Sequence, residues 1–239
     1  MENGAFIQEQ IASCRQFAGE YNTQVYDREH WEILADTVRK DCPHVGSGLE
    51  LACGTGLWTQ RLLAYTDSLT AVDASPEMHA LRLNRIDNPR VTRDTVDIFN
   101  LDLNKSYDLA FAAFWLSHVP MERFESFWAQ IATPLKPNGH LLIVDSHSSG
   151  ARGSRDTRQL TYGHESNINK VDHGLMDLGN RLDALGWDVE VKPITGSTIA
   201  FLGSDASTTS RCSTWLVSPP CAVDIQSCSH LLYTMAFVT

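Results

Sequence analysis

The sequence has no long apolar run. The longest is the eight residues from Leu109 to Leu116, less than half of the roughly 18–20 that a membrane-spanning helix needs. No C-x-x-C pair occurs among the six cysteines (Cys14, Cys42, Cys53, Cys212, Cys221, Cys228), so no zinc or redox motif is legible and free thiols in a cytoplasmic protein are expected. The opening MENGAFIQEQ has neither a cationic start nor an apolar stretch and does not read as a signal peptide. Positive charge is scarce: 19 Lys and Arg against 29 Asp and Glu give −10 at pH 7, which argues against a broad nucleic-acid or anionic-membrane footprint. Internal repeats are absent. The balance of 43% hydrophobic and 20% charged residues excludes disorder, collagen and coiled coil for the chain as a whole. A globular fold of 239 residues remains, one domain with additions.

What is present alternates. Residues 5–20 and 28–40 carry apolar residues at helical spacing. The strand GLELAC (48–53) runs into Gly54-Thr55-Gly56 and a helix over 57–66. SLTAVDA (68–74) is a strand, and Ser75-Pro76-Glu77 opens a helix with a capping serine, an N1 proline and an acid near the positive helix end. RVTRDTV (90–96) is a weaker strand. YDLAFAAFWL (107–116) and GHLLIVDS (139–146) suit strands buried on both faces, with an amphipathic helix over 121–133 between them. This rhythm predicts a doubly wound, Rossmann-like α/β sheet. Residues 146–173 read as a polar, irregular stretch. A helix over 172–186 and strands over 187–193 and 195–203 close the pattern as an antiparallel hairpin, making seven strands. From Ser204 onward only Asp205, Arg211 and Asp224 are charged, and Ser218-Pro219-Pro220 favours irregular structure. A single domain is expected over 1–203, with a helical lid over 1–45, a substrate-side insertion over 146–173 and a poorly ordered tail over 204–239.

In such a sheet, ligands bind beyond the carboxyl ends of the strands. The glycine loop allows close backbone approach, and Asp73, 17 residues after Gly56, suits ribose hydroxyls. A dinucleotide fingerprint would place a third glycine where Thr59 stands. Glu50 at the loop mouth would repel a pyrophosphate and suits an amino group. Both points favour an amino-acid-bearing nucleoside, S-adenosylmethionine, over a nicotinamide dinucleotide. The rival readings are a nicotinamide-dependent oxidoreductase and a non-catalytic cofactor-binding or regulatory module on the same fold.

ELACGTG (50–56), AVDASPEM (71–78), VDIF (96–99), YDLAFAAFWLSHVP (107–120) and LKPNGHLLIVD (135–145) together resemble the class I S-adenosylmethionine-dependent methyltransferases over roughly residues 13–203. The resemblance implies S-adenosylmethionine as cofactor and S-adenosylhomocysteine as product. Glu50 would meet the methionine amino group, with Ala52, Cys53, Gly54, Gly56 and Trp58 around the loop. Asp73 would hold the ribose, with Ala74 and Met78 beside the adenine. Asp97 would accept from the adenine amine and Ile98 would pack on the ring, with Phe114 at the cofactor edge. Tyr21 would close a lid on the sulfonium side. Ala52 stands where a glycine is common. FWLSHVP (114–120), FESFW (124–128) and AGEYN (18–22) look like a subgroup of small-molecule O-methyltransferases of biosynthetic pathways, the phosphonate O-methyltransferase of the dehydrophos pathway among them.

Methyl transfer is an in-line displacement whose main demand is alignment in a dry pocket. His118, after the fourth strand, has an ordinary pKa range suited to taking a proton near neutrality. It is the best candidate for a base, the alternatives being a group that orients an anion or one that bonds its own loop. Trp115 and Tyr26 are candidate walls of the acceptor pocket. Residues 151–170 carry a local charge of +2, which would draw an anionic acceptor. In the likened subgroup basic residues of this segment bind the acceptor, and Arg158 and Lys170 fit that pattern. The polar run YGHESNINK (162–170) departs from the subgroup's apolar, strand-like one. His147, His164 and His173 match no metal spacing, and no metal is expected. The expected partner is a small-molecule acceptor with an acidic handle and an oxygen nucleophile, the alternative being nitrogen or carbon. Neither nucleic acid nor membrane is expected, and the protein would be a monomer or homodimer.

Overall fold

The computed structural model describes residues 11–12, 28–83, 86–147, 154–159, 165–171, 175–193, 199–205 and 231–233. The expected helix over 5–20, apart from 11–12, therefore lies outside the described residues, as do Tyr21 and Tyr26 and most of the tail. Five helices are described: α1 (Arg28–Asp41), α2 (Leu57–Leu62), α3 (Pro76–Leu83), α4 (Phe124–Ala132) and α5 (Leu175–Ala184). The strands are β1 (Val45–Leu51), β2 (Thr66–Asp73), β3 (Val91–Thr95), β4 (Tyr107–Ala113), β5 (Leu135–His147), β6 (Ser154–Gln159), β7 (Glu165–Lys170), β8 (Asp188–Pro193), β9 (Ile199–Asp205) and β10 (Leu231–Tyr233).

The main sheet runs β3-β2-β1-β4-β5-β9-β8. The pairs β3–β2, β2–β1, β1–β4 and β4–β5 are parallel. β9 lies antiparallel to both β5 and β8, and β10 pairs antiparallel with residues 145–147 of β5. The chain winds outward from β1 to β3 and then crosses back to β4. The carboxyl ends of β1 and β4 therefore flank the switch point, where α/β sheets hold their ligands.

Apolar composition explains the centre of the sheet. Leu49, Leu51, Leu109, Ala110, Phe111, Leu141, Leu142 and Val144 are all buried, as strands covered on both faces require. Helix α1 contributes Leu34 and Val38 to this core, and α4 contributes Phe124, Phe127, Trp128 and Ile131. Trp187, just after α5, meets Trp128 edge-on at 5.5 Å. At the amino edge, Asp108 ties three strands together. Its Oδ2 accepts from Ser47 N and Oγ on β1 at 2.9 and 2.7 Å, and its Oδ1 accepts from Lys136 Nζ on β5 at 2.7 Å.

Two expectations need correction. The helix expected over 57–66 ends at Leu62. The amides of residues 63–65 bond back to Thr59, Arg61 and Leu62 in tightening turns, and Thr66 is already paired with Val45 in β2. Within the polar stretch over 146–173, the described residues are not irregular. β5 continues to His147, and β6 and β7 form an antiparallel ribbon from Ser154↔Lys170 to Gln159↔Glu165. Apolar alternation could not reveal ESNINK as a strand; cross-strand pairing makes it one.

Candidate active site

The loop after β1 folds through three left-handed residues. Ala52, Gly54 and Gly56 have φ of 49°, 53° and 80°. Gly56 caps α2 in this conformation, and the Gly56 amide bonds Cys53 O at 2.9 Å. Ala52 bears a Cβ at the first of these positions, where glycine would be free of the usual cost of about 1–2 kcal/mol. Glu50, Leu51, Ala52, Cys53, Gly54, Thr55, Leu57, Trp58 and, from β4, Ala113 line one concavity.

Glu50 is 2% exposed, and its Oε2 accepts a short hydrogen bond from Thr59 Oγ1. Thr59, which stands where a dinucleotide loop would carry glycine, thus secures the carboxylate at the loop mouth. Sequence reasoning missed this role, and the nine-residue separation of an acid and a hydroxyl across a strand–loop–helix was the only signal. Trp58 is buried between Trp31 of α1 at 4.8 Å and Phe111 of β4 at 5.1 Å. Its indole N–H has no hydrogen-bond partner among the described residues.

Asp73 ends β2 half-buried. Its Oδ2 accepts from Gly54 N and its Oδ1 from Ser75 N, both at 2.8 Å. One carboxylate therefore joins the glycine loop to the start of α3. Ser75 Oγ accepts from Met78 N at 3.3 Å and donates to Glu77 Oε2 at 2.9 Å, the serine cap expected there. Ala74 is half-buried and Met78 buried. Beyond β3, Asp97 folds onto its own turn, accepting from Phe99 N at 2.9 Å and from Asn100 Nδ2 at 2.9 Å. Ile98 is buried beside it.

The chain leaves β4 through Phe114, a non-glycine residue at φ 58° whose amide reaches Val144 O at 2.6 Å. Trp115 follows, then a 3-10 turn, Leu116–His118. The Trp115 ring lies 5.9 Å from that of His118 and 6.0 Å from that of Phe99. The Trp115 indole N–H is buried without a partner among the described residues. His118 is half-buried. The turn is held from both sides: Asp145 Oδ2 accepts from Ser117 N at 2.9 Å, and Val171 N donates to Ser117 O at 2.7 Å. Sequence reasoning missed Asp145 and Ser117, although an acid closing the apolar run of β5 was a visible sign.

The geometry thus brings Glu50, Ala52, Cys53, Gly54, Gly56, Trp58 and Asp73 around one loop. Phe114, Trp115 and His118 stand at the neighbouring strand end. In the ribbon, Lys170 immediately precedes Val171. Arg158 sits four ladder positions away, about 13 Å along an extended chain. Among the described residues, no three His, Cys, Asp or Glu side chains gather as a metal would require, and no helix is long and apolar enough to cross a membrane.

Residues 49–139 match the model of a family described as a methyltransferase domain. Over 109 residues the chain is 29% identical to Nodulation protein S of Azorhizobium caulinodans, a match covering 45% of this chain and about half (53%) of that protein. The solved complex of DhpI with SAH is 30% identical, with 85% of this chain and 98% of that one superposed at a TM-score of 0.75. The DhpI-SAM-HEP complex gives 30%, 83%, 97% and 0.74. The N-methyltransferase NodS of Bradyrhizobium japonicum WM9 with SAH shares the fold at 17% identity, a TM-score of 0.60, and coverage of 82% and 98%.

Proposed function

The chain belongs to the class I S-adenosylmethionine-dependent methyltransferases, and from that premise we propose that it methylates an oxygen of a small, anionic metabolite, with His118 facing the acceptor. The observation that carries this reading is the turn Leu116–His118. It follows β4, whose last residue Ala113 lines the concavity of the glycine loop, and it is hydrogen-bonded to Val171, the residue after the ribbon's Lys170.

The loop fits S-adenosylmethionine. Three left-handed residues leave a concave backbone, Glu50 offers a buried carboxylate to an amino group, and Asp73 is fixed at the strand end where a ribose would lie. In this reading Glu50, Ala52, Cys53, Gly54, Gly56 and Trp58 hold the methionine side. Asp73, Ala74, Met78, Asp97 and Ile98 hold the nucleoside, and Phe114 walls the edge between them. The bound cofactor supplies a methyl group on a sulfonium. The chain's own task is to bring an acceptor oxygen into line and keep water out. Trp115 supplies an apolar wall beside His118, together with a buried N–H that suits an oxygen acceptor. Lys170 provides positive charge next to the turn, and Arg158 extends that charge along the ribbon for a longer anionic group. If the acceptor oxygen is a hydroxyl, the His118 imidazole takes its proton; if it is already ionised, the ring orients it.

The experiment is methyl transfer to a panel of small phosphonates, carboxylates and phenols, with matched amines alongside, read by mass spectrometry of the product and by release of S-adenosylhomocysteine. Methylation confined to the oxyanion and phenol arms supports the proposal. Methylation confined to the amines replaces it with N-methylation. His118→Ala should lower turnover on the accepted class by about 10²-fold while S-adenosylhomocysteine affinity stays within about threefold.

A further inference from the structure

The Ser117 backbone is held on both sides by groups that none of the roles above uses. Its N–H is taken by Asp145, 5% exposed at the end of β5, and its carbonyl accepts from Val171, the first residue after the ribbon. The pairing of β5 with β4 ends one residue earlier, at Val144↔Ala113. Asp145 is thus the first residue of β5 beyond the end of its parallel neighbour, where a carboxylate can reach the amide of a turn leaving that neighbour.

Burying a carboxylate is expensive unless its oxygens are satisfied, and an apolar residue at that position would serve packing better. The turn also begins from strain. Phe114 leaves β4 at φ 58°, a left-handed conformation that is unfavourable for a residue bearing Cβ. Such strain persists where the surroundings over-determine it. The turn's conformation is therefore imposed by its contacts.

We propose that Asp145 is a positioning residue: through Ser117 it sets the turn that presents Trp115 and His118, and it holds that turn against the ribbon carrying Lys170. The inference rests on the reading of that turn as the acceptor side. The hydrogen-bond acceptor is what acts here, so the role survives in a neutral residue that keeps an oxygen at the same reach.

The test compares Asp145→Ala and Asp145→Asn in the full chain. Nuclear magnetic resonance would follow amide exchange at Ser117 and the indole resonance of Trp115. Calorimetry with S-adenosylhomocysteine would follow the cofactor site, and turnover would be measured on methylphosphonate, or on the panel member that is methylated. In Asp145→Ala, Ser117 should lose its exchange protection and the Trp115 resonance should shift or broaden. The kcat should fall by about 10²-fold, the scale of an ångström's misplacement, with S-adenosylhomocysteine affinity within about threefold of wild type. Asp145→Asn should recover most of each loss. The proposal is overturned if Ser117 protection is unchanged in Asp145→Ala, if Asp145→Asn is as impaired as Asp145→Ala, or if S-adenosylhomocysteine affinity falls in step with turnover. Lost Ser117 protection in Asp145→Ala, together with full turnover in His118→Ala, would defeat the proton-transfer role alone and leave the positioning role standing.

Discussion

Asp73→Ala should have two separable consequences, because this carboxylate has protein partners as well as a proposed ligand. In the folded chain it accepts from the amides of Gly54 and Ser75, each at 2.8 Å. A hydrogen bond to a charged group contributes about 1.5–3 kcal/mol when buried. Asp73 is only half-buried, so water can replace part of each bond, and a loss of roughly 2–4 kcal/mol for the pair is expected. For a chain of this size that lowers the Tm by about 4–8 °C. The second consequence concerns the cofactor: without a carboxylate at the strand end, S-adenosylmethionine should bind at least about tenfold more weakly. Asp73→Asn separates the two effects. Its single carbonyl oxygen can satisfy one amide, while its NH2 must face the other, so its Tm should fall between wild type and alanine while cofactor binding remains weak. Differential scanning fluorimetry and isothermal titration calorimetry on the three proteins make the comparison. An unchanged Tm in Asp73→Ala would refute the reasoning about the loop, and an unchanged Kd would refute the ribose assignment.

Other outcomes follow from packing and ionisation. Gly139→Ala should destabilise the β4–β5 edge by about 1–3 kcal/mol, because its Cβ would stand 2.9 Å from Lys136 O and 3.1 Å from Tyr107 O, backbone atoms that cannot swing aside; a denaturant midpoint equal to wild type would contradict this. Burial pushes the Cys42 thiol up to about 12. Iodoacetamide at pH 8 followed by peptide mapping should therefore leave Cys42 unmodified in the folded protein and alkylate it in urea. For Asp108, burial raises the pKa, but the bonds from Lys136 and Ser47 outweigh it and the net shift is downward. Its folded pKa lies below the unfolded one, so its contribution is present above the unfolded carboxylate range and fades as pH falls through the folded pKa. Asp108→Asn should accordingly lose stability at pH 7 relative to wild type, and the gap should close toward pH 3; a gap independent of pH would argue against the ion pair's role.

The parallel centre of the fold was legible because its signals are local. LELAC, LTAVD, LAFAAF and LLIVD are apolar runs too short for helices, each closed by residues suited to turns. Asp73 closes the second of these runs, Glu50 lies one residue before the end of β1, His118 follows the end of β4 and Asp97 follows the weaker third strand, so strand ends read from sequence place all four on one side of the sheet. The ribbon was not legible. Ser154–Gln159 and Glu165–Lys170 are polar throughout except for Ile168, and they become strands only by pairing with each other. The clamps on the loops were hidden for a related reason. Thr59 on Glu50, Asp73 on Gly54 and Asp145 on Ser117 are contacts between residues 9, 19 and 28 positions apart, set by sheet register and helix placement. The extent of α2 was misread because Leu63 and Ala64 continue an apolar, helix-compatible pattern. The chain instead tightens after Leu62 so that Thr66 can pair with Val45.

The most direct test of the account is calorimetric titration of the full-length chain with S-adenosylmethionine and, separately, with S-adenosylhomocysteine. The account predicts one site with micromolar affinity for both, weakened by Asp73→Ala and preserved in His118→Ala. A folded protein that takes up neither ligand would contradict it, leaving the left-handed loop after β1 as a turn and nothing more.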